Sequence, residues 1–157
     1  MPNTYVSPSG TFSFQYPDNW RLLREADGTL RLWRKAGLLK KESANILRIK
    51  PFVSDRVILH NGFESLVDLR KKENLDVQVS QDSDSYAMKF LIIEYRREMS
   101  VSAVVKTVAM VQLCWDLVIL NRIFSASFTF GKEQQDAAST QEEKEAAQNI
   151  LHSLKLL

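Results

Sequence analysis

Few side chains in this sequence combine the chemistry and the spacing that metal binding requires. A zinc site needs three or four His, Cys or carboxylate ligands close together. The only two histidines, His60 and His152, are far apart in the sequence, one before a predicted helix cap and one on the last predicted helix. We therefore predict no metal site and no bound cofactor.

Cys114 is the only cysteine, so it forms no internal disulfide and gives no sign of an oxidising compartment. A reactive thiol needs exposure and a positive neighbourhood, whereas Cys114 stands between Leu113 and Trp115 in a predicted strand. Asp82-Ser83-Asp84 resembles part of a calcium loop but lacks the glycine and the final glutamate. With no nucleophile, acid–base pair or phosphate loop recognisable, we predict no catalytic residues and no enzymatic activity.

Basic residues are concentrated near the start of the chain. Residues 1–50 hold nine Lys or Arg against four Asp or Glu, although the whole chain has a net charge of only +2. This excess could face an acidic protein partner, or it could be the solvated face of alternating strands. Nucleic-acid binding is not expected, since the net charge is low and no known signature is present. The candidate partner-binding residues are Arg21, Arg24, Arg31, Arg34 and Arg48.

The elements that position these residues begin with Phe12–Tyr16, an alternating strand that leads through Pro17 to a second strand from Trp20. A helix is predicted from Gly62 to Asn74, with Asn61 as its N-cap. The last helix is predicted to start at a capping box formed by Thr140 and Glu143.

The most regular pattern is an alternation of apolar and polar residues that starts at Val101 and predicts one strand to about Trp115. The next strand is predicted over Arg122–Phe130. The turn between them could lie at Asp116 or at Asn121, and we favour Asn121 because asparagine tolerates the left-handed backbone of tight turns. The run to Leu120 is twenty residues long, but its internal charges and β-branched residues predict sheet and no membrane span.

These elements predict an α+β fold: one domain over residues 1–157, built on an antiparallel sheet of about 6–8 strands. An internal helix and a C-terminal helix pack on that sheet. The first residues do not resemble a signal peptide, and a cytoplasmic location is expected.

Two segments resemble PsbP-like proteins. Ser7-Pro8-Ser9-Gly10 followed by Phe12–Trp20 is similar to their opening strand pair, where a phrase of the type F-x-Y-P-x-x-W recurs. Phe124–Phe130, an acidic link and a helix ending at Ile150–Lys155 are similar to their final part. The wider group includes the PsbP subunit of photosystem II, a Ran-binding nuclear transport factor, the DcrB lipoproteins and the Eag secretion chaperones.

The resemblance implies a central antiparallel sheet and action through binding, with no shared catalytic residues to transfer. The leading hypothesis is therefore a non-catalytic protein-interaction module, whose partner has an acidic patch. The alternative is a secretion-type chaperone or a protein that binds a small ligand or an apolar segment. A homodimer through an open sheet edge is a further possibility.

Overall fold

The computed structural model describes residues 1–38, 41–51, 63–73, 78–82, 90–102, 107–119 and 122–157. This part of the chain forms strands joined by two α-helices and a short 3-10 helix over Lys132–Gln134. The strands are β1 (Asn3–Val6), β2 (Phe12–Tyr16), β3 (Trp20–Arg24), β4 (Leu30–Arg34), β5 (Ile46–Lys50), β6 (Gln78–Asp82), β7 (Phe90–Ser102), β8 (Thr107–Ile119), β9 (Arg122–Gly131) and β10 (Lys155–Leu156). The helices are α1 (Phe63–Glu73) and α2 (Ala138–His152).

The strands form two antiparallel sheets. The large sheet has seven strands in the order β3-β4-β5-β9-β8-β7-β6, and the small sheet has the order β1-β2-β10. The α+β prediction, with an antiparallel sheet, an internal helix and a C-terminal helix, is confirmed. The short strands β1 and β10 were not predicted, because four and two residues are too few to show an alternation.

Alternation along the strands decides which side chains form the core. One row of paired residues crosses four neighbouring strands of the large sheet. From β4 to β8 it consists of Leu32, Leu47, Phe128 and Leu113. All four side chains are buried in one apolar cluster. Since paired residues of neighbouring strands share a face, this row defines the inner face of the large sheet. The opposite side is called the outer face.

The inner face is covered by the small sheet together with α2. Phe12 of β2 meets Phe124 of β9 edge to face, with ring centroids 5.2 Å apart. From α2, Ala147, Ile150 and Leu151 belong to the same buried cluster. None of the described helices combines the length and apolar character that crossing a membrane requires.

The long hairpin differs from its prediction. Val101 belongs to β7, where it pairs with Val108 of β8, so the predicted single strand from Val101 is wrong. The alternation hid the turn because it continues on both sides of it. Asp116 lies within β8, which ends at Ile119 before β9 starts at Arg122, so the turn alternative at Asp116 is wrong. Asn121 lies outside the described residues.

The predicted capping box of the last helix is also wrong. Helix α2 begins at Ala138, and its N-cap Ala137 makes no side-chain capping bond. Thr140 and Glu143 are therefore inside the helix, and both are buried. The body of α1 is where the sequence predicts it, but its predicted cap Asn61 lies outside the described residues.

Candidate functional site

The five predicted arginines are divided between the two faces of the large sheet. Arg31 pairs with Arg48 across β4 and β5, and both lie on the outer face. Arg21 of β3, paired with Trp33, lies on that face too. Arg24 pairs with the buried Leu30 and Arg34 with the buried Trp20, so these two point to the inner side. The structure thus brings together Arg21, Arg31 and Arg48 and separates them from Arg24 and Arg34.

Carboxylates accompany part of the outer group. Arg21 Nε lies 3.0 Å from Glu42 Oε1, which also accepts a hydrogen bond of 2.6 Å from Trp33 Nε1. Arg31 Nε lies 3.0 Å from Glu25 Oε1, but its N–H does not point at that oxygen, so the contact is an ion pair without a hydrogen bond. These two charges are therefore partly neutralised in the folded chain.

Arg48 and Lys50 are the remaining cations of this face, and the charge of Lys50 also acts on the Asp27 carboxylate. Both are exposed, and no carboxylate of the described chain forms an ion pair with either. Ser127 of β9 is directly opposite Arg48, and Ser125 is opposite Lys50. Both serines are partly exposed, and their hydroxyls make no hydrogen bond within the described ranges.

We call this surface the outer basic face and define it by Arg21, Arg31, Arg48, Lys50, Ser125 and Ser127. Arginine and lysine donate charge-assisted hydrogen bonds to carboxylates, and the serine hydroxyls add further donors. The spacing across neighbouring strands lets several of these groups meet one acidic surface together. The arrangement is suited to binding anionic groups of a partner.

Arg34 has a structural partner instead. Its Nε donates a hydrogen bond of 2.8 Å to Glu143 Oε1, and Asn45 Nδ2 donates one of 2.7 Å to Glu143 Oε2. Glu143 is buried on α2, so these bonds attach the helix to β4 and to the residue preceding β5. Arg24, by contrast, is exposed on β3 and has no ion pair within the described chain.

A buried polar cluster that the sequence analysis missed lies on the outer face beneath α1. Asp116 of β8 has a relative exposure of 1%. Arg70 of α1 binds its carboxylate through Nε at 2.7 Å and Nη2 at 3.2 Å. Glu73 accepts from both Arg70, at 3.2 Å, and Arg97, at 3.1 Å. The two guanidinium groups each lie 5.2 Å from the centroid of the Tyr95 ring.

The electrostatics of this cluster favour uncharged Tyr95 and Cys114. Burial, and then the charge of Asp116, raises the pKa of Tyr95. Burial raises the pKa of the Cys114 thiol to about 11. The thiol is therefore protonated at neutral pH, and Cys114 Sγ donates to Gln112 Oε1 at 3.5 Å. One clue to the cluster was present in the sequence: Asp116 interrupts an apolar run, and a carboxylate there needs a cation.

The structure describes one of the two histidines. His152 is exposed on α2, and His60 lies outside the described residues. In the ranges that the structure describes, no group of three His, Cys, Asp or Glu side chains is arranged to hold a metal ion.

An apolar strip extends along the end of the β7–β8 hairpin. Strand β9 pairs with β8 only from Met110 onward, so residues 100–102 and 107–109 form a two-stranded arm beyond the β8–β9 pairing. Met99 pairs with Met110 and Val101 with Val108, all on the outer face. Met99 and Val101 are 37% and 49% exposed. We call these four residues the arm strip.

Comparisons with known proteins show the fold and no more. No family model and no curated protein matches the sequence. A crystal structure from Bacteroides thetaiotaomicron VPI-5482 is similar, with a TM-score of 0.63 and 15% identity over 98% of this chain. The chain spans 48% of the length of that protein. A structure of LpqN, involved in cell envelope biogenesis of Mycobacterium tuberculosis, matches at a TM-score of 0.41 and 13% identity, covering 99% of this chain and 90% of that one.

At such identities the first similarity supports a shared fold and transfers no activity. The likeness to PsbP-like proteins therefore stays a prediction, and what is established is the α+β architecture.

Proposed function

We propose that this chain is a non-catalytic protein-binding module that uses the outer basic face to bind an acidic surface of a partner. The observation that supports this most directly is the pair Arg48 and Lys50, exposed cations that form no ion pair with a carboxylate of the described chain. Charges of this kind raise association rates and select partners of opposite sign. The proposal retains the cytoplasm as the expected compartment and does not include nucleic acid as the partner.

The non-catalytic part of the proposal is supported by how the buried ionisable groups are used. Asp116 is bound by Arg70, and Glu143 by Arg34 and Asn45. Cys114 is held as a thiol by burial. Each of these groups already has a structural role, and a catalytic base or nucleophile would need to be free to react.

The test compares partner capture from the native cell by three forms of the protein. In the variant R31E/R48E two charges of the outer basic face are reversed. In the matched control K144E/K155E the same charge change is made on α2 and β10, on the other side of the large sheet. The expected result is a set of acidic partners that wild type and control retain and R31E/R48E loses. The same partner list from all three forms would exclude the outer basic face.

A second candidate function, binding of an apolar segment, is favoured by the arm strip. Exposed Met99 and Val101 lie on the face opposite α2, where such a guest would contact the sheet. The variant M99S/V101S should weaken binding of a fluorescent apolar peptide at least tenfold, whereas R31E/R48E should leave it unchanged. Equal binding by wild type and M99S/V101S would remove this candidate.

A further inference from the structure

Strand β3 is an edge whose free backbone groups can be identified from its hydrogen bonds. Within the described chain, β4 is its only neighbour. Glu25 N–H donates to Thr29 O and Lys35 N–H donates to Asn19 O, so the odd-numbered residues of β3 exchange bonds with β4. The even-numbered residues therefore turn their N–H and C=O groups toward the open edge. At Trp20 the N–H is already used, by Pro17 O.

Leu22 and Arg24 thus offer both a donor and an acceptor to an added strand, and Trp20 offers an acceptor. Beside this edge lies an open groove of about 460 Å³, bounded by β3 and by Asn3 and Tyr16 of the small sheet. Leu23 is 44% exposed there, and Leu22 is partly buried. An unpaired edge with apolar side chains at its centre is a ready site for strand addition.

The charges next to this edge indicate what kind of strand would fit. Arg21 is exposed on the outer side of β3 and Arg24 on the inner side, with Leu22 and Leu23 between them. In an added strand, successive side chains would alternate between the same two sides. Carboxylates would therefore suit the two ends of a four-residue stretch, and aliphatic side chains would suit its middle. The pattern reads the same in both strand directions.

We infer that the β3 edge binds an extended partner segment of the pattern acidic–aliphatic–aliphatic–acidic as an additional strand of the large sheet. This deepens the proposed function and rests on it, since it specifies how an acidic partner is held. A second copy of the chain fits less well. Strand β3 has two arginines and no carboxylate, so pairing it with itself would leave Arg24 without an acidic side chain opposite.

The test uses two labelled octapeptides of identical composition in a fluorescence anisotropy titration. The first has the central sequence glutamate-valine-valine-glutamate, and the second has valine-glutamate-glutamate-valine. The protein variants are R24A, which removes the charge, and R24P, which also removes the outward N–H. Because the N–H of Arg24 is outside the β4 ladder, proline is compatible with the strand at this position. Chemical denaturation checks that both variants fold.

We expect the first peptide to bind wild type at least tenfold more tightly than the second. R24P should bind the first peptide roughly threefold to tenfold more weakly than R24A does, because the proline variant lacks the one hydrogen bond donated by the backbone N–H of residue 24. At saturation, the amide protons of Leu22 and Arg24 in wild type should exchange more slowly with solvent. If R24P is unfolded, the peptide can be changed instead. Methylating the backbone nitrogen of each of its two valines, one at a time, removes one N–H donor of the added strand, and the loss of affinity is then compared between the two peptides.

Equal binding by R24A and R24P, equal binding of the two peptides, or unprotected Leu22 and Arg24 amides would each overturn the inference. A dimer of the protein alone that R24P dissociates would also overturn it, because a second copy would then occupy the edge. These failures are distinguishable from failure of the proposed function, which depends on partner capture by R31E/R48E. Lost capture in that variant together with equal R24A and R24P affinities would leave the outer basic face in place without strand addition.

Discussion

Replacing Arg70 by methionine should be among the most destabilising single changes in the described chain. Methionine retains much of the apolar stem of the arginine but removes both hydrogen bonds to Asp116. The Asp116 side chain is only 2% exposed, so its carboxylate has no access to bulk water in compensation. Removing one partner of a buried ion pair costs about 3–5 kcal/mol. For a chain of this size this lowers the melting temperature by roughly 6–20 °C.

The measurement is urea denaturation of wild type, R70M, D116L and the double variant R70M/D116L. The double variant should recover much of the loss, because no unpaired buried charge remains. The control is R96M: Arg96 is 41% exposed in its pair with Glu98, and its loss should cost less than about 1 kcal/mol. A cost for R70M no larger than that for R96M would refute the view that Arg70 neutralises Asp116.

Three further predictions concern stability. Between about pH 9 and about pH 11 the free energy of unfolding should fall as pH rises, because the Cys114 thiol loses its proton at a lower pH in the unfolded chain than in the folded one. Denaturation of C114A over this pH range should show a smaller slope. E143A should cost about 1–3 kcal/mol by leaving Arg34 and Asn45 without their acceptor, whereas E145A, at an exposed position of the same helix, should stay within about 0.5 kcal/mol. G28A should cost about 1–2 kcal/mol, because Gly28 has a φ of 90°, a backbone conformation that residues with a side chain rarely adopt. Equal melting temperatures for G28A and the control G37A would contradict this reasoning.

The sequence predicted those elements whose signal is local. Strand β2 is an uninterrupted alternation, and the apolar stripe of α2 repeats with the helical period. The boundary between β7 and β8 could not be found in this way. Residues on both sides of the turn continue the same alternation, so Val101 was assigned to the wrong strand. The position of the turn follows from which residues pair across the hairpin, and the alternation within one segment does not show that pairing.

The candidate site illustrates the same limit. Parity within one strand shows that Arg21 and Arg24 point to opposite sides, but relating them to Arg48 requires the cross-strand register. The mistaken capping box has a similar cause. Glu143 has the residue type and spacing of a capping residue. In the structure, however, its buried carboxylate accepts a hydrogen bond from Arg34, which lies more than a hundred residues earlier in the sequence. Long-range partners of this kind leave no spacing pattern in the sequence.

The small sheet determines how much of the chain must be synthesised before the fold can be completed. Strand β2 lies between β1, which is synthesised just before it, and β10, which leaves the ribosome only after every strand of the large sheet and α2. Until β10 emerges, the aromatic side of β2 has only part of its final surroundings, and until α2 emerges, the inner face of the large sheet lacks its helical cover. Completion of this fold is therefore expected to follow synthesis of residue 156 rather than accompany it, and such contacts between distant segments are slow to form. In the interval, exposed Phe12 and Phe14 would be natural contacts for general chaperones.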